Sequence, residues 1–177
     1  MQYLVPSIMH ILYLTSVWLH IMAAVIWVGG TLFFALVLVP AVRQPEFSAV
    51  AAAMVRWTAQ RFRWVGWFCF LVFIFTGSIN LAFRGLTWDD LLSAIFWRGS
   101  FGSVLMLKLA IFAAIVVISA VHDFIIGPRA SAAWEKDAKS AATSRLRRQA
   151  VRIARLNLLL ALIAIILGTM LVRGAPW

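Results

Sequence analysis

The chain has 177 residues, of which 64% are hydrophobic and 12% are charged, and its formal net charge is +10. A composition this apolar, with a mean hydropathy of +0.96, predicts a membrane protein built as one bundle and excludes several soluble domains. The basic residues flank apolar segments, so the membrane surface explains the charge and nucleic acid is excluded as a partner. The single Cys69 excludes a disulfide framework within one chain.

The first predicted helix covers about residues 11–39 and is ended by Pro40. No Asp, Glu, Lys or Arg precedes Arg43, so His10 and His20 are the readily titratable side chains of this stretch. It is longer than the roughly 20 apolar residues that cross a bilayer, and it lacks the basic start of a secretory signal. We therefore expect a permanent transmembrane helix, in which a buried histidine indicates function.

Three further apolar segments predict helices at about residues 64–83, 101–126 and 156–172, the third of them stopped by Gly127-Pro128. We therefore expect an all-α integral membrane protein, with residues 1–177 forming a single four-helix transmembrane domain. Short interfacial helices are predicted in the connections. One covers the amphipathic residues 46–60, and another opens with a capping box at residues 87–90. Polar residues inside the helices are expected to bond between helices: Thr76, Ser78 and Asn157.

Most Lys and Arg residues lie in the first and third connections, whereas the second contains only Arg84 and Arg98. The excess of positive charge predicts that the first and third connections face the cytoplasm, which leaves both termini outside. The residues of these two connections are Arg43, Arg56, Arg61, Arg63, Arg129, Lys136, Lys139, Arg145, Arg147, Arg148, Arg152 and Arg155.

This topology assigns a depth to each polar side chain. His20 lies roughly 15 Å deeper than His10, and Lys108 lies about two turns into the third helix, which places the two at a similar depth. His122 and Asp123 follow roughly 20 Å further on, at the opposite edge. His20 and Lys108 are therefore expected to be neighbours, whereas His20 and His122 are too far apart to hold one haem iron between them.

Soft ligands gather at the outer ends of the helices. Met9, Met106 and Met170 are predicted to lie in the same outer half as His10 and His20. Thioether sulfur suits Cu(I), and imidazole binds either copper state, so these five side chains form a candidate copper site. The alternative is that the methionines are ordinary apolar filler, that His20 makes an interhelical hydrogen bond, and that Lys108 extends to the headgroups.

Three segments carry a resemblance to a known family. They are WLHIMAAVIWVGGTLFFALVLVP at residues 18–40, Arg61-Phe62 followed by Thr76-Gly77, and FGSVLMLKLAIF at residues 101–112 leading to Gly127-Pro128. Together they resemble the copper resistance D (CopD) family of bacterial inner-membrane proteins, over nearly all of the first three helices. The resemblance implies copper handling, by transport across the inner (plasma) membrane or by delivery at it, with a copper ion as ligand.

The histidine of the first helix and the lysine of the third are also similar to those of HemJ-type protoporphyrinogen oxidases. That likeness implies haem b held at His20, with Lys108 as a partner for a propionate or the substrate. A third hypothesis is an accessory subunit of a larger membrane complex, and lipids, a second copy or another membrane protein remain open as partners. The sequence contains no phosphate loop, HExxH, CxxC or Gly-x-Ser-x-Gly motif, which favours a non-enzymatic role.

Overall fold

The computed structural model describes residues 4–138 and 140–174, so Lys139 of the third connection lies outside the described residues. The described part contains four helices that are long and apolar enough to cross a membrane. They are α1 (Leu4–Phe33), α2 (Ala51–Ala82), α5 (Ser100–Val121) and α7 (Ala141–Arg173). The predicted all-α membrane fold with four spans is therefore confirmed, and the placement of both termini outside stays a prediction.

Two prolines that were expected to end helices do not end them. The α1 helix continues through a π-helical turn at Phe34–Leu38 and past Pro40 to Ala41. The α5 helix likewise continues through a π-helical turn at His122–Ile126 into α6 (Gly127–Lys136). Proline lacks an N–H group and clashes with the carbonyl four residues before it, and a widened turn at that place accommodates both effects.

Two of the spanning helices begin well before their predicted starts. The α2 helix starts at Ala51 and includes most of the segment that was expected to form a separate interfacial helix, while residues 45–47 form a 3-10 turn. The α7 helix starts at Ala141, where the Ser140 side chain accepts a hydrogen bond from the Thr143 N–H. The prediction found only the apolar part of each helix, because charged residues end a hydropathy segment without ending a helix.

Two short helices, α3 (Trp88–Leu92) and α4 (Ala94–Arg98), connect α2 to α5. The capping box predicted at the start of α3 is confirmed: the Thr87 N–H donates to Asp90 Oδ2 at 2.8 Å, and the Asp90 N–H donates to Thr87 Oγ1 at 3.4 Å. The hydrogen bonds from Thr87 favour the ionised carboxylate and hold the pKa of Asp90 below its usual range.

The bundle is built from two helix pairs, α1 against α2 and α5 against α7. Both pairs are antiparallel. Ser16 contacts Thr76 whereas Phe34 contacts Phe62, and Ser119 contacts Asn157 whereas Lys108 lies beside Gly168. The pairs meet at a core in which Phe70 of α2 contacts two rings edge-on: Trp27 of α1, with 5.1 Å between the ring centroids, and Phe112 of α5, with 6.0 Å. A Cβ atom at Gly66 would lie 3.3 Å from Trp27, so the glycine lets α1 and α2 approach closely there.

The basic connections form a packed cap at one end of the bundle. Arg56 of α2 pairs with Glu135 of α6 at 2.8 Å, and the guanidinium of Arg147 in α7 lies 3.6 Å from the centre of the Trp134 ring. The Thr143 hydroxyl donates to the Ala133 carbonyl at 3.0 Å. These contacts hold α6 against the N-terminal turns of α2 and α7.

Candidate functional site

Polar side chains inside the bundle lie in two layers, separated by an apolar one. We call the first the His20 layer: Ser16, His20, Thr76, Asn80 and Lys108. The aromatic layer comes next: Ala23, Trp27, Phe70, Phe112, Ile115 and Ala161. The Asn157 layer follows: Arg63, Trp67, Ser119 and Asn157. Each helix passes through all three layers in turn, so the arrangement results from the antiparallel order of the helices.

The half-buried His20 is hydrogen-bonded to the neighbouring helix. Its Nδ1 lies 2.7 Å from Oγ1 of Thr76, and that hydroxyl is 2.6 Å from the carbonyl oxygen of Val72. A separation this short between two oxygens requires a proton between them, so the Thr76 hydroxyl donates to the Val72 carbonyl. Thr76 must then accept from His20, which places the ring proton on Nδ1 and leaves Nε2 with a free lone pair.

The surroundings of Thr76 reinforce this hydrogen-bond chain. Ser16 donates from its hydroxyl to the Thr76 carbonyl at 3.3 Å, and both residues are buried. The Phe73 ring lies edge-on to the His20 imidazole, with 5.1 Å between the ring centres. The imidazole is thus held by a hydrogen bond and an aromatic contact, both from α2.

Lys108 lies in the same layer on the other helix pair. A Cβ atom at residue 168 of α7 would be 3.3 Å from the Lys108 Nζ, so Gly168 provides the space that the ammonium group occupies. The ammonium is close enough to act electrostatically on the His20 imidazole and on the Arg84 guanidinium. Among the described residues, no ion pair joins Lys108 or Arg84 to a carboxylate.

Arg84 closes this end of the bundle. It donates to the Leu171 carbonyl at 2.7 Å, and its guanidinium lies 5.5 Å from the centre of the Phe101 ring. It therefore ties the end of α2 to α5 and α7. The His20 layer thus contains the Lys108 ammonium and one imidazole, with the Arg84 guanidinium beyond it, and no carboxylate of the described residues pairs with either cation.

Three of the four remaining predicted copper ligands lie on the outer surface of the bundle. Met9 is 49% exposed and Met106 is 53% exposed, and His10 is also exposed on the outer surface of the bundle. Met170 is half-buried on α7, two residues beyond Gly168. All four lie at the same end of the bundle as the His20 layer. In the described part of the chain, no three His, Cys, Asp or Glu side chains come together as a metal-binding group.

His122 lies in the π-helical turn at the other end of the bundle, with its Nδ1 2.9 Å from Asp123 Oδ1. It is separated from the His20 layer by the aromatic layer, as the depth argument predicted. Of the three residues expected to bond between helices, Thr76 and Asn157 do so, and the Asn157 amide donates to Ser119 at 2.7 Å. Ser78 instead donates to the Ile74 carbonyl of its own helix.

Sequence comparison matches residues 56–171 to the family described as Copper resistance protein D. This chain belongs to the copper resistance D family. The matched region includes α7, for which the sequence showed only a general likeness to CopD proteins. The match begins after the end of α1. Lys108 therefore lies inside the match and His20 outside it. The chain is also similar to an uncharacterized protein of Aquifex aeolicus (strain VF5), with 29% identity over 158 residues, which are 88% of this chain and 92% of the relative. No solved structure matches.

Sequence reasoning did not identify the polar neighbours Asn80 and Arg84, or the buried donors Arg63 and Trp67. Asn80 follows Thr76 by four residues in an otherwise apolar helix, and this spacing places both on one helix face. This spacing was the sequence pattern from which Asn80 could have been predicted as a neighbour of Thr76. Arg63 and Trp67 gave none, because Arg and Trp near a helix end are typical of membrane interfaces.

Proposed function

We propose that this CopD-family membrane protein handles copper through a site at His20, either in transport across the membrane or in delivery at it. The observation that carries the proposal is the hydrogen-bond chain from His20 through Thr76 to the Val72 carbonyl. A metal-binding histidine commonly donates its other ring N–H to a neighbouring acceptor, which fixes the tautomer and the ring orientation. His20 already has this arrangement, with Nε2 left for the metal.

The thioether and imidazole groups at this end provide further ligands in the proposal. Met170 belongs to the helix that contacts Lys108, and Met9, His10 and Met106 lie exposed around the same end. We propose that the exposed groups collect copper at the membrane surface and that His20 receives it inside the bundle. Soft thioether ligands favour Cu(I) over the hard cations that are more abundant in cells.

The charges of the layer set a selectivity for such a site. The Lys108 cation repels any metal ion at His20. Hard cations such as Mg²⁺ and Ca²⁺ depend on oxygen ligands and negative charge, so they are disfavoured most. Cu(I) binds soft ligands through more covalent bonds and carries a single charge, so it loses least from the repulsion.

A second function is favoured by the cations at this end of the bundle. An imidazole with a free nitrogen in the same layer as Lys108 also suits haem b: His20 would hold the iron, and Lys108 and Arg84 would pair with the propionates. Bound haem would supply electron transfer to a membrane oxidoreductase. The fit is partial, because His122 lies beyond the aromatic layer and is too far from His20 to hold the same iron. The likeness to HemJ-type oxidases on which this alternative rests stays a prediction.

The proposal is tested by Cu(I) titration of the purified protein against a competing chelator. We expect the unmodified protein to bind Cu(I) and His20→Ala to lose that binding. His122→Ala is the control, because it removes an imidazole that lies beyond the aromatic layer from His20, and we expect it to retain Cu(I) binding. Equal Cu(I) affinity of His20→Ala and the unmodified protein would contradict the proposal. A Soret absorption band that disappears in His20→Ala would support the haem alternative instead.

A further inference from the structure

The Asn157 layer contains buried polar atoms without protein partners. These atoms are the Nε of Arg63, the Nε1 of Trp67 and the Oδ1 of Asn157; in the described part of the chain, the Oδ1 of Asn80 in the His20 layer is a fourth such atom. The Nδ2 of the same Asn157 amide has a partner, since it donates to the Ser119 hydroxyl. Two hydrogen-bond donors and one acceptor are thus withdrawn from solvent at the same depth of the bundle.

Leaving such atoms unpaired inside a membrane is costly. An unsatisfied buried polar group costs about 1–3 kcal/mol, and buried polar groups in proteins are nearly always satisfied by protein or ordered water. The three atoms also restrict what else can bind. The Arg63 charge repels cations, and the Asn157 oxygen is an acceptor that offers nothing to an anion. Water both donates and accepts, so it satisfies all three.

One member of the layer, Arg63, reaches the surface. Arg63 lines a surface cavity of about 460 Å³, together with Trp57, Gln60, Arg61 and Trp64. The Arg63 guanidinium lies 5.2 Å from the centre of the Phe124 ring, and the Trp67 ring lies 5.7 Å from the same ring. Phe124 belongs to the π-helical turn that also holds the half-buried His122 and Asp123. The cavity at Arg63, the Trp67 ring and the π-helical turn therefore meet around Phe124.

We propose that the Asn157 layer is a hydrated vestibule, filled by water that enters beside Arg63 and the π-helical turn. The bundle then carries a polar site on each side of the aromatic layer: His20 on one side and a water-filled site on the other. This inference goes beyond the copper proposal and does not depend on it. It gives the protein a place where an ion or proton that has passed the aromatic layer meets water.

The experiment measures the reactivity of single thiols, because a thiol ionises readily in water and reacts slowly in apolar surroundings. In a Cys69→Ala background, cysteine replaces Ser119 or Asn157 in the layer, and Ile115→Cys is the control in the aromatic layer. The reagent is methyl methanethiosulfonate, which is small and neutral, so its own passage through lipid does not limit the comparison. Detergent-purified protein is used, and labelling is followed by mass spectrometry.

We expect Ser119→Cys and Asn157→Cys to react at least about tenfold faster than Ile115→Cys, with rates that rise with pH as the thiolate forms. Two positions are used so that one poorly folded variant does not decide the result. If both variants react as slowly as Ile115→Cys, the layer is dry and the proposal is wrong. The outcome is independent of copper, so failure of the copper titration leaves this test intact.

Discussion

In the His20 layer, His20 bonds to the Thr76 hydroxyl, which donates to the Val72 carbonyl, and Ser16 donates to the Thr76 carbonyl. In the Asn157 layer, the Asn157 amide bonds to Ser119, and its oxygen is left without a protein partner beside the unpaired donors of Arg63 and Trp67. The first arrangement fixes one imidazole in one tautomer. The second leaves three buried polar atoms that the proposed water would satisfy, whereas the His20 layer leaves only the Asn80 Oδ1 among its described residues. A single bundle thus combines a histidine fixed by protein hydrogen bonds with a second layer in which protein bonds satisfy fewer of the polar atoms.

Breaking the hydrogen-bond chain is expected to produce the largest effect. Thr76→Val keeps the shape of the side chain but removes the acceptor for the His20 N–H, so either tautomer becomes accessible. Loss of such an outer partner typically weakens metal binding by about 10- to 100-fold, and we expect a decrease of that size in Cu(I) affinity. Chelator competition measures it.

Thr58→Val is the control for this change. The Thr58 hydroxyl donates to the Met54 carbonyl of its own helix, as the Thr76 hydroxyl does to Val72, but it has no histidine partner. We expect Thr58→Val to bind Cu(I) like the unmodified protein. If Thr76→Val does so as well, the hydrogen-bond chain has no role in ligand binding.

A pair of neighbouring glycines tests the packing at the Asn157 end. A Cβ atom at Gly30 would overlap the Phe62 ring, whereas one at Gly29 would meet open space. Phe62 also packs on Phe34, with 5.4 Å between the ring centres, which restricts its movement. We expect Gly30→Ala to destabilise the bundle by about 1–3 kcal/mol.

Gly29→Ala is expected to leave the thermal unfolding midpoint in detergent nearly unchanged, since it changes the same residue type in the adjacent position. Equal midpoints for the two variants would show that Phe62 moves aside freely and that this end of the bundle is loosely packed.

The smallest expected effect comes from removing the charge of Lys108. The direction of the change in Cu(I) affinity distinguishes copper from haem as the ligand of the His20 layer. Lys108→Met removes a cation that repels copper, so we expect Cu(I) affinity to rise by up to about tenfold. Lys136→Met, at an exposed position of α6, is the control and should change little. A fall in Cu(I) affinity in Lys108→Met would contradict the proposed repulsion. Loss of a Soret band in that variant would indicate that the cation serves an anionic group such as a propionate.

The features that could be predicted from sequence are those that hydropathy and helical rise determine. A run of about 20 uncharged apolar residues has few alternatives to a spanning helix, so the four spans were found. The rise per residue placed His20 and Lys108 at one depth and His122 at another. The rotation of each helix about its own axis depends on its neighbours, and for this reason the exposure of Met9 and Met106 was not predicted.

The π-helical turns were missed for a related reason. Pro40 and Pro128 remove one helical hydrogen bond each, and sequence alone cannot show whether the chain then stops or widens. In this fold, the contacts of Trp134 and Glu135 with α7 and α2 hold the continued helix in place. Those contacts join residues distant in sequence and leave no local pattern.

The aromatic layer has an electrical consequence. An unliganded ion moving between the two polar layers would exchange water for the rings of Trp27, Phe70 and Phe112, and desolvating an ion in such surroundings costs several kcal/mol. In this conformation the aromatic layer therefore blocks the leak of ions that would dissipate the membrane potential. The packing of Trp27 against Gly66 and Phe70 brings α1 and α2 close together at this depth, and this contact opposes leak currents.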